Sequence, residues 1–442
     1  MANFRKFQNL GNASLALAEL QNDHNNAVAH IYSTPKQITQ SGKLANATLT
    51  IKDVFATDDL PTQASSKLLE NFQPSYNATV VEKLLNEGAI ALAKVHNDEL
   101  ALGGTGTHSG FGLIVNPKDP QRFVGGSSSG SAATFTSNIG IALGSDTGDS
   151  VRLPGSYNGV PGFKPSYGAI SRYGMFAYAS SLDTVAYFAH NVNDLICISQ
   201  SVFGKDEKDM TTVEVAIDNV TKTKPTKVIA LDFSENVEEY VKVAFDNFVQ
   251  KLQNEGVEVQ IIKPNLTILK TIKPVYQIVS FSEASSNLSN LNGVAFGNRV
   301  NGDSWEEVMK QTRSLKFGKM VQERLSLGSY FLYQENQAEI FIKAQKARRV
   351  IKNYLTSLHE QADAVIYPAY GGVAPLFANP ASYGVMDYIL TGSNLVGNPS
   401  LTIPLATHQN LPFSLAIDAK IYEDAKLLGI AEYFEELIKG GK

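Results

Sequence analysis

The sequence predicts an α/β fold in which a central mixed β-sheet is covered by helices on both faces. Two observations carry that prediction. Short apolar runs of strand length recur at residues 48–54, 89–95, 141–144, 228–231, 257–262, 364–367, 401–404 and 412–417. Between many of them lie longer stretches whose apolar residues recur at helical spacing, and such alternation is the signature of a sheet sandwiched by helices.

Taken in order, Leu15, Leu17, Ala18, Leu20, Ala27, Val28 and Ile31 predict one helix over residues 12–31, with Asn12 or Ser14 as its cap. The β-branched run TLTIKDV at 48–54 reads as a strand with a lysine near its end. Asn77 or Thr79 can cap a helix carrying Val80, Val81, Leu84 and Leu85, Gly88 stops it, and 89–95 follows as a buried strand. Gly103, Gly104 and Gly106 then turn the chain. Residues 131–139 read as helix and 141–144 as strand; further helices are expected after Val192 and at 238–254, 332–358 and 422–438. The polar stretch 205–225 reads as a linker or surface insertion, and the Asn/Gly-rich 285–306, which contains Trp305, as a long loop. No internal repeat is visible. The organisation expected is one large domain over 1–442, with an N-terminal helical lead at 1–40 and a mainly helical, substrate-side subregion at 265–360.

Composition narrows the function classes. With 43% apolar and 18% charged residues, the 442-residue chain is neither disordered nor fibrous and can bury a large core. A single cysteine, Cys197, excludes an internal disulfide, and its apolar neighbours mark it as a buried small hydrophobe. Seven histidines show no metal-site spacing, so no metal site is expected. The net charge of −5 argues against a dominant grip on a phosphate backbone, although a nucleic acid held by a partner remains open. No apolar run approaches the roughly 18 residues of a membrane span. Met1, Ala2, Asn3, Phe4, Arg5 and Lys6 have no signal core behind them, so either no presequence exists or it has been removed.

The chemistry concentrates in two runs. Gly125-Gly126-Ser127-Ser128-Ser129-Gly130-Ser131-Ala132-Ala133 is followed by Gly144-Ser145-Asp146-Thr147-Gly148-Asp149-Ser150-Val151-Arg152-Leu153-Pro154. A flexible linker fits poorly between apolar elements. A phosphate loop lacks the Lys-Ser or Lys-Thr that must follow its glycines. A GxSxG nucleophile elbow matches residues 126–130 in letters only, because a serine-rich run meets that pattern by chance and no persuasive histidine follows.

Together with the Lys52-Asp53 pair, these runs resemble the amidase signature family, whose pattern is a strand-end lysine, a GGSSGGSA run and a G-[ST]-D-T-G-G-S-[IV]-R-x-P turn. The resemblance implies the amidase-signature fold and a Ser-Ser-Lys centre. Ser150 is then the nucleophile, Ser127, at a cis peptide, relays the proton, and Lys52 is the base. Backbone N–H groups of Thr147, Gly148 and Asp149, in the turn presenting Ser150, are the natural oxyanion hole. Arg152 and Asp146 read as ties between the loops, and Ser128 as the better candidate to cap the following helix. Two departures stand out: Ser129 replaces the third glycine, and Asp149 replaces the glycine before the nucleophile.

Within the family, Gln322-Glu323-Arg324-Leu325-Ser326-Leu327-Gly328 with Tyr330 nearby, and Met386-Asp387-Tyr388-Ile389-Leu390-Thr391 with Asn394-Leu395-Val396-Gly397-Asn398-Pro399, resemble the branch of glutaminase A subunits of glutamyl-tRNA(Gln) amidotransferases. That resemblance implies glutamine as substrate, with Arg324 on its α-carboxylate and Asp387 on its α-ammonium. Ser128 and Thr107 join them as substrate-side candidates, and Ser109 and Tyr178 are polar groups near the motifs. It further implies a partner, the amidotransferase B subunit, carrying the tRNA and ATP site, with ATP and Mg2+ on that partner and no cofactor on this chain. A mitochondrial matrix location and a small additional fungal subunit complete the expectation. The alternatives are a stand-alone amidase and an inactive scaffold subunit.

Overall fold

A computed structural model of the protein describes residues 5–440; residues 1–4 of the N-terminal hexapeptide, and 441–442, lie outside the described residues. Among the described residues, eleven strands form one mixed sheet: β1 Val28–Lys36, β2 Thr48–Lys52, β3 Ile90–Val95, β4 Ile141–Asp146, β5 Gly162–Lys164, β6 Thr184–Phe188, β7 Lys227–Leu231, β8 Glu258–Ile262, β9 Ala364–Pro368, β10 Ser400–His408 and β11 Leu411–Asp418. Their spatial order is β1-β3-β2-β4-β6-β5-β10-β11-β9-β7-β8. β3, β2 and β4 run parallel, as do β9, β7 and β8, while the strands between these groups pair antiparallel.

Every residue of β2, β4, β6, β9 and β11 is buried, so successive side chains on both faces are covered by flanking helices. This is the mixed sheet that the continuous apolar runs predict. The two edges differ: β1 and β8 are largely half-buried or exposed and carry polar residues such as Ser33, Glu258 and Gln260, which makes them poor templates for further pairing. Cys197 is buried, and burial pushes its thiol up to about 12. No helix among the described residues is long and apolar enough to cross a membrane.

Several expected elements are corrected. The helix predicted over 12–31 stops at Gln21, with Asn12 as its cap, and the chain returns as strand β1. Turn chemistry overrides the apolar spacing: the Asp23 carboxylate accepts from the N–H groups of Asn25, Ala27 and Val28, and Asn26 takes a left-handed φ of 53°. The helix expected at 131–139 is the short Ser129–Ala133, and Ser128 stands at its N-cap without capping it. Neither Asn77 nor Thr79 caps helix Thr79–Asn86; the Thr79 hydroxyl donates instead to Asp206, at 2.6 Å. The helix expected over 332–358 is broken at Tyr333, passes through a wide π turn at Ala338–Ile342, and resumes as Lys343–His359. The loop expected at 285–306 is shorter at both ends, because helix Ile272–Asn287 runs into it and Ser304 caps a helix that begins at Trp305.

One helix crossing sets where Arg324 stands. Helices Ile272–Asn287 and Lys319–Leu332 touch at Gly328, where an added Cβ would lie 1.9 Å from the Phe281 carbonyl oxygen. Arg324 stacks over the Phe281 ring at 5.0 Å, one helical turn before that glycine. Gly328→Ala is therefore expected to force the helices apart and to lower stability by about 1–3 kcal/mol. An unchanged urea midpoint would show that the crossing has slack.

Candidate functional site

Parallel pairing delivers the ends of β2, β3 and β4 to the same side of the sheet, where open α/β sheets generally place their chemistry. β2 ends at Lys52, whose side chain is wholly buried. Its amine reaches three hydroxyls: Ser127 Oγ at 2.8 Å, Ser145 Oγ at 2.9 Å and Ser128 Oγ at 3.1 Å. No carboxylate among the described residues lies within 4 Å of it. Burial lowers the amine to about 7, against the raising pull of Asp98, Asp146 and Asp183. An ammonium would be stabilised by three hydroxyl acceptors, but loss of water outweighs them.

The surrounding carboxylates are all engaged elsewhere. Asp53, the next residue, pairs with buried Lys94 at 3.2 Å and accepts the Gln63 N–H. Asp98 accepts N–H groups from Thr105, Gly106 and His108, which folds the glycine loop back on itself. Asp183 accepts from Tyr178 and Ala179 N–H and from the Thr147 hydroxyl. Asp146 is bound by Arg152 through two contacts of 2.9 and 3.0 Å.

That last pair organises the turn that presents Ser150. Arg152 is fully buried, and its remaining donors reach Leu390 O, Gly148 O, Ser393 Oγ, Ser400 Oγ and Asn394 Oδ1 between 2.7 and 3.0 Å. Asn394 returns two bonds to Asp146, and the Val151 N–H donates to it as well. The two serine runs are stitched directly, because Ser128 N–H donates to Ser150 O at 3.1 Å. The Gly126-Ser127 peptide is cis. Ser150 is 4% exposed, and among the described residues the N–H groups of Gly148, Asp149 and Ser150 have no acceptor within the chain. They are free to receive a developing oxyanion.

Gly148 and Asp149 form part of the wall of a cavity of ≈ 520 Å³, which Arg324, Asp387, Tyr276 and Tyr388 also line. Arg324 donates to the Tyr178 hydroxyl at 3.1 Å and to Met320 Sδ, and has no carboxylate within 4 Å among the described residues. Asp387 accepts from Ser382 Oγ at 2.5 Å and from Tyr383 N–H at 2.9 Å.

The other candidates lie off this wall. Ser128 is wholly buried between Lys52 and the Ser145 carbonyl, Thr107 shares a 2.7 Å bond with Thr105, and Ser109 accepts from Phe111 N–H. Tyr178 lies behind Arg324 and donates onward to Ser280. Ser129, the first departure, directs its hydroxyl toward Gly106 and Gly126, where an added Cβ would come within 3.2 and 3.0 Å of it, and does not contact Lys52.

Sequence reasoning missed Ser145, the third hydroxyl on Lys52; the only available signal was its place at the end of a strand parallel to β2. It also missed Asp183 as the anchor of Thr147, and the tyrosines of the cavity. Among the described residues no group of three or more His, Cys, Asp or Glu side chains is placed to hold a metal ion.

Comparison with known proteins matches residues 4–428 to the amidase family. The glutamyl-tRNA(Gln) amidotransferase A subunit of Sulfolobus acidocaldarius is 37% identical over 412 residues, covering 90% of this chain and 86% of that one. The A subunit of Thermoanaerobacter pseudethanolicus is also 37% identical, with 88% and 82% covered. The crystal structure of the A subunit from Thermotoga maritima superposes with a TM-score of 0.79 at 30% identity, covering 96% and 90%. A peptide amidase from Stenotrophomonas maltophilia shares the fold, with a TM-score of 0.78 at 21% identity and 97% and 93% covered. The chain belongs to the amidase-signature family and is related to the A subunits of these amidotransferases.

The tie between Arg152 and Asp146 is directly testable. Arg152→Met removes the cation and leaves Asp146 buried without it, so a loss of about 3–5 kcal/mol in denaturant unfolding is expected. A loss below about 1 kcal/mol, the range of an exposed pair, would show that the pair does not hold the turn.

Proposed function

We propose that this chain is the glutaminase subunit of a glutamyl-tRNA(Gln) amidotransferase, releasing ammonia from glutamine through Ser150, Ser127 and Lys52. The observation that carries the reading is the buried Lys52 amine, near neutral in pKa and in contact with Ser127; the similarity to A subunits supports the substrate. A neutral amine accepts a proton from the Ser127 hydroxyl as that hydroxyl takes one from Ser150, because a hydroxyl both donates and accepts. Ser150 Oγ forms a bond to the carboxamide carbon, and the N–H groups of Gly148, Asp149 and Ser150 receive the oxyanion, with Thr147 in the same turn. On collapse the carbon–nitrogen bond breaks and the proton returns along the same path to the departing ammonia. Water then hydrolyses the acyl-enzyme.

Arg324 suits the α-carboxylate, since a guanidinium without a carboxylate partner in a semi-enclosed cavity favours an incoming anion. Asp387 faces the same cavity and suits the α-ammonium. In this reading the chain acts as one unit, with 265–360 supplying much of the substrate side. The B subunit would hold ATP, Mg2+ and the tRNA and consume the ammonia. A third, small subunit in the complex and a matrix location belong to the same reading; fractionation away from mitochondria, or a stable complex with the B subunit only, would remove them.

Ammonia release from glutamine by the purified assembly should fall at least about a thousandfold in Ser150→Ala, as for other nucleophile deletions. Equal release by both proteins would reject the nucleophile, and a stand-alone amidase or an inactive scaffold would show no dependence on glutamine. Because Lys52 must be neutral to act, kcat/KM should rise with pH through about 7 and fall away below it as the amine protonates. A profile flat from pH 5.5 to 8.5 would remove Lys52 as the base. Arg324→Ala should raise KM for glutamine about 10- to 100-fold, equivalent to one charged hydrogen bond of about 1.5–3 kcal/mol. Unchanged glutamine kinetics would count against it.

A further inference from the structure

Glu99 is buried in the turn that follows β3, and its carboxyl reaches the helix that carries Arg324. One oxygen accepts from the Ser66 hydroxyl and the other from the Gly318 N–H at 2.8 Å. Gly318 is the N-cap of helix Lys319–Leu332, with a φ of −66° that any residue can adopt. What the position demands is space, because an added Cβ would lie 2.6 Å from the Glu99 carboxyl oxygen. The Glu99 turn is itself held fast. Its N–H donates to the His108 carbonyl and the Leu100 N–H to that of Ala64, while Leu100 and Ala101 take left-handed φ of 53° and 61°, which residues with side chains keep only where the surroundings hold them. Past the turn the chain enters the cavity wall at Gly103, Gly104, Thr105 and His108, and the first two turns of the helix bring Met320 and Arg324 into the same wall. Glu99 thus joins two pieces of that wall that are far apart in sequence.

We propose that Glu99 is a positioning residue for substrate recognition: by holding Gly318 it fixes the helix that carries Arg324, and so sets how tightly the α-carboxylate of the substrate is held, without touching the substrate or the Ser150 step. The inference rests on the glutaminase reading and deepens it. Arg324 lies six residues past Gly318, about 9 Å along the axis, and a helix carries a displacement of its end over that distance as a rigid element. The guanidinium therefore stands between two anchors, the Glu99–Gly318 bond before it and the crossing of Gly328 with Phe281 after it. A carboxylate at the start of a helix is also favoured by the helix dipole. Burial, with no cation among its partners, raises the Glu99 carboxyl to about 7, and the Ser66 hydroxyl and the Gly318 N–H pull it back. Its ionised form is costly there and is compensated by those two donors, one of which is the helix end itself.

Ammonia release from glutamine by the purified assembly separates KM from kcat. Glu99→Ala is expected to raise KM about tenfold, the worth of one hydrogen bond, and to leave kcat within about twofold. Glu99→Gln, whose amide oxygen still accepts from Gly318, should bring KM back to within about threefold of the unsubstituted value. Gly318→Ala crowds the carboxyl without removing it and should raise KM as Glu99→Ala does. Because Glu99 acts through Arg324, adding Glu99→Ala to Arg324→Ala should raise KM no further, which a general loss of structure would not reproduce. An unchanged KM in Glu99→Ala and Gly318→Ala, a fall confined to kcat, or effects that multiply in the double variant would each overturn the proposal. Should Glu99→Ala fail to assemble, Gly318→Ala, in which the carboxyl is kept, decides it. The glutaminase reading fails separately, if the unsubstituted assembly releases no ammonia from glutamine, and the inference then falls with it.

Discussion

The site depends on an amine buried at the end of a parallel strand with hydroxyl groups alone around it. A lysine in that position loses its hydration and gains no carboxylate, so its charged form is no longer favoured at neutral pH. Lys52 meets this condition because the chain binds every nearby carboxylate to something else: Asp53 to Lys94, Asp146 to Arg152, and Asp98 and Asp183 to backbone N–H groups. Moving any of these counter-charges would let a carboxylate relax toward Lys52 and fix its proton. A lowered pKa is not sufficient by itself. Burial also brings Lys164 to about 7, yet its amine donates to the carbonyls of Asn398 and Pro165 and touches no hydroxyl that leads to Ser150.

The buried ion pairs are better understood as positioning devices than as sources of stability. Taking Arg152 and Asp146 out of water is expensive, and their attraction roughly restores what is lost. What the pair secures is geometry. Arg152 collects Gly148 from the turn that carries Ser150, Leu390 and Ser393 from the neighbouring segment, and Ser400 from β10, so the turn is braced from three directions. A turn braced in this way can leave its own N–H groups without internal partners, a state that a mobile loop would resolve by folding onto them.

How much of this was legible in the sequence follows from how local each signal is. Lys52, Ser127 and Ser150 are spelled by runs of letters, and the structure brings Lys52 and Ser127 together and stitches the Ser127 and Ser150 loops. Most interior strands were readable because burial on both faces writes them as continuous apolar runs, but β5 and β6, in the middle of the sheet, were missed. β1 was missed too, because its edge position leaves an irregular pattern and the Asn22-Asp23 turn that precedes it interrupts a spacing that otherwise fits a helix. Ser145 and Asp183 carry no local signature; their roles arise only when β4 is laid beside β2 and the 178–183 loop is folded under Thr147. Closeness to a motif was a poor guide to the cavity: Ser128 turns inward to Lys52 and Thr107 to Thr105, so neither lines it.

The residues proposed for chemistry and those proposed for recognition stand on different parts of the molecule. Lys52, Ser145 and the turn after β4 belong to the rigid sheet, whereas Arg324 is carried on a helix that leans on Phe281 and Tyr178, and Asp387 on a short segment tied to Ser382. A fold held in common with a peptide amidase at 21% identity therefore does not choose a substrate. The choice must come from side chains that reach over the sheet's edge, and Asp149 joins the two parts: it belongs to the turn that carries Ser150 and also lines the cavity.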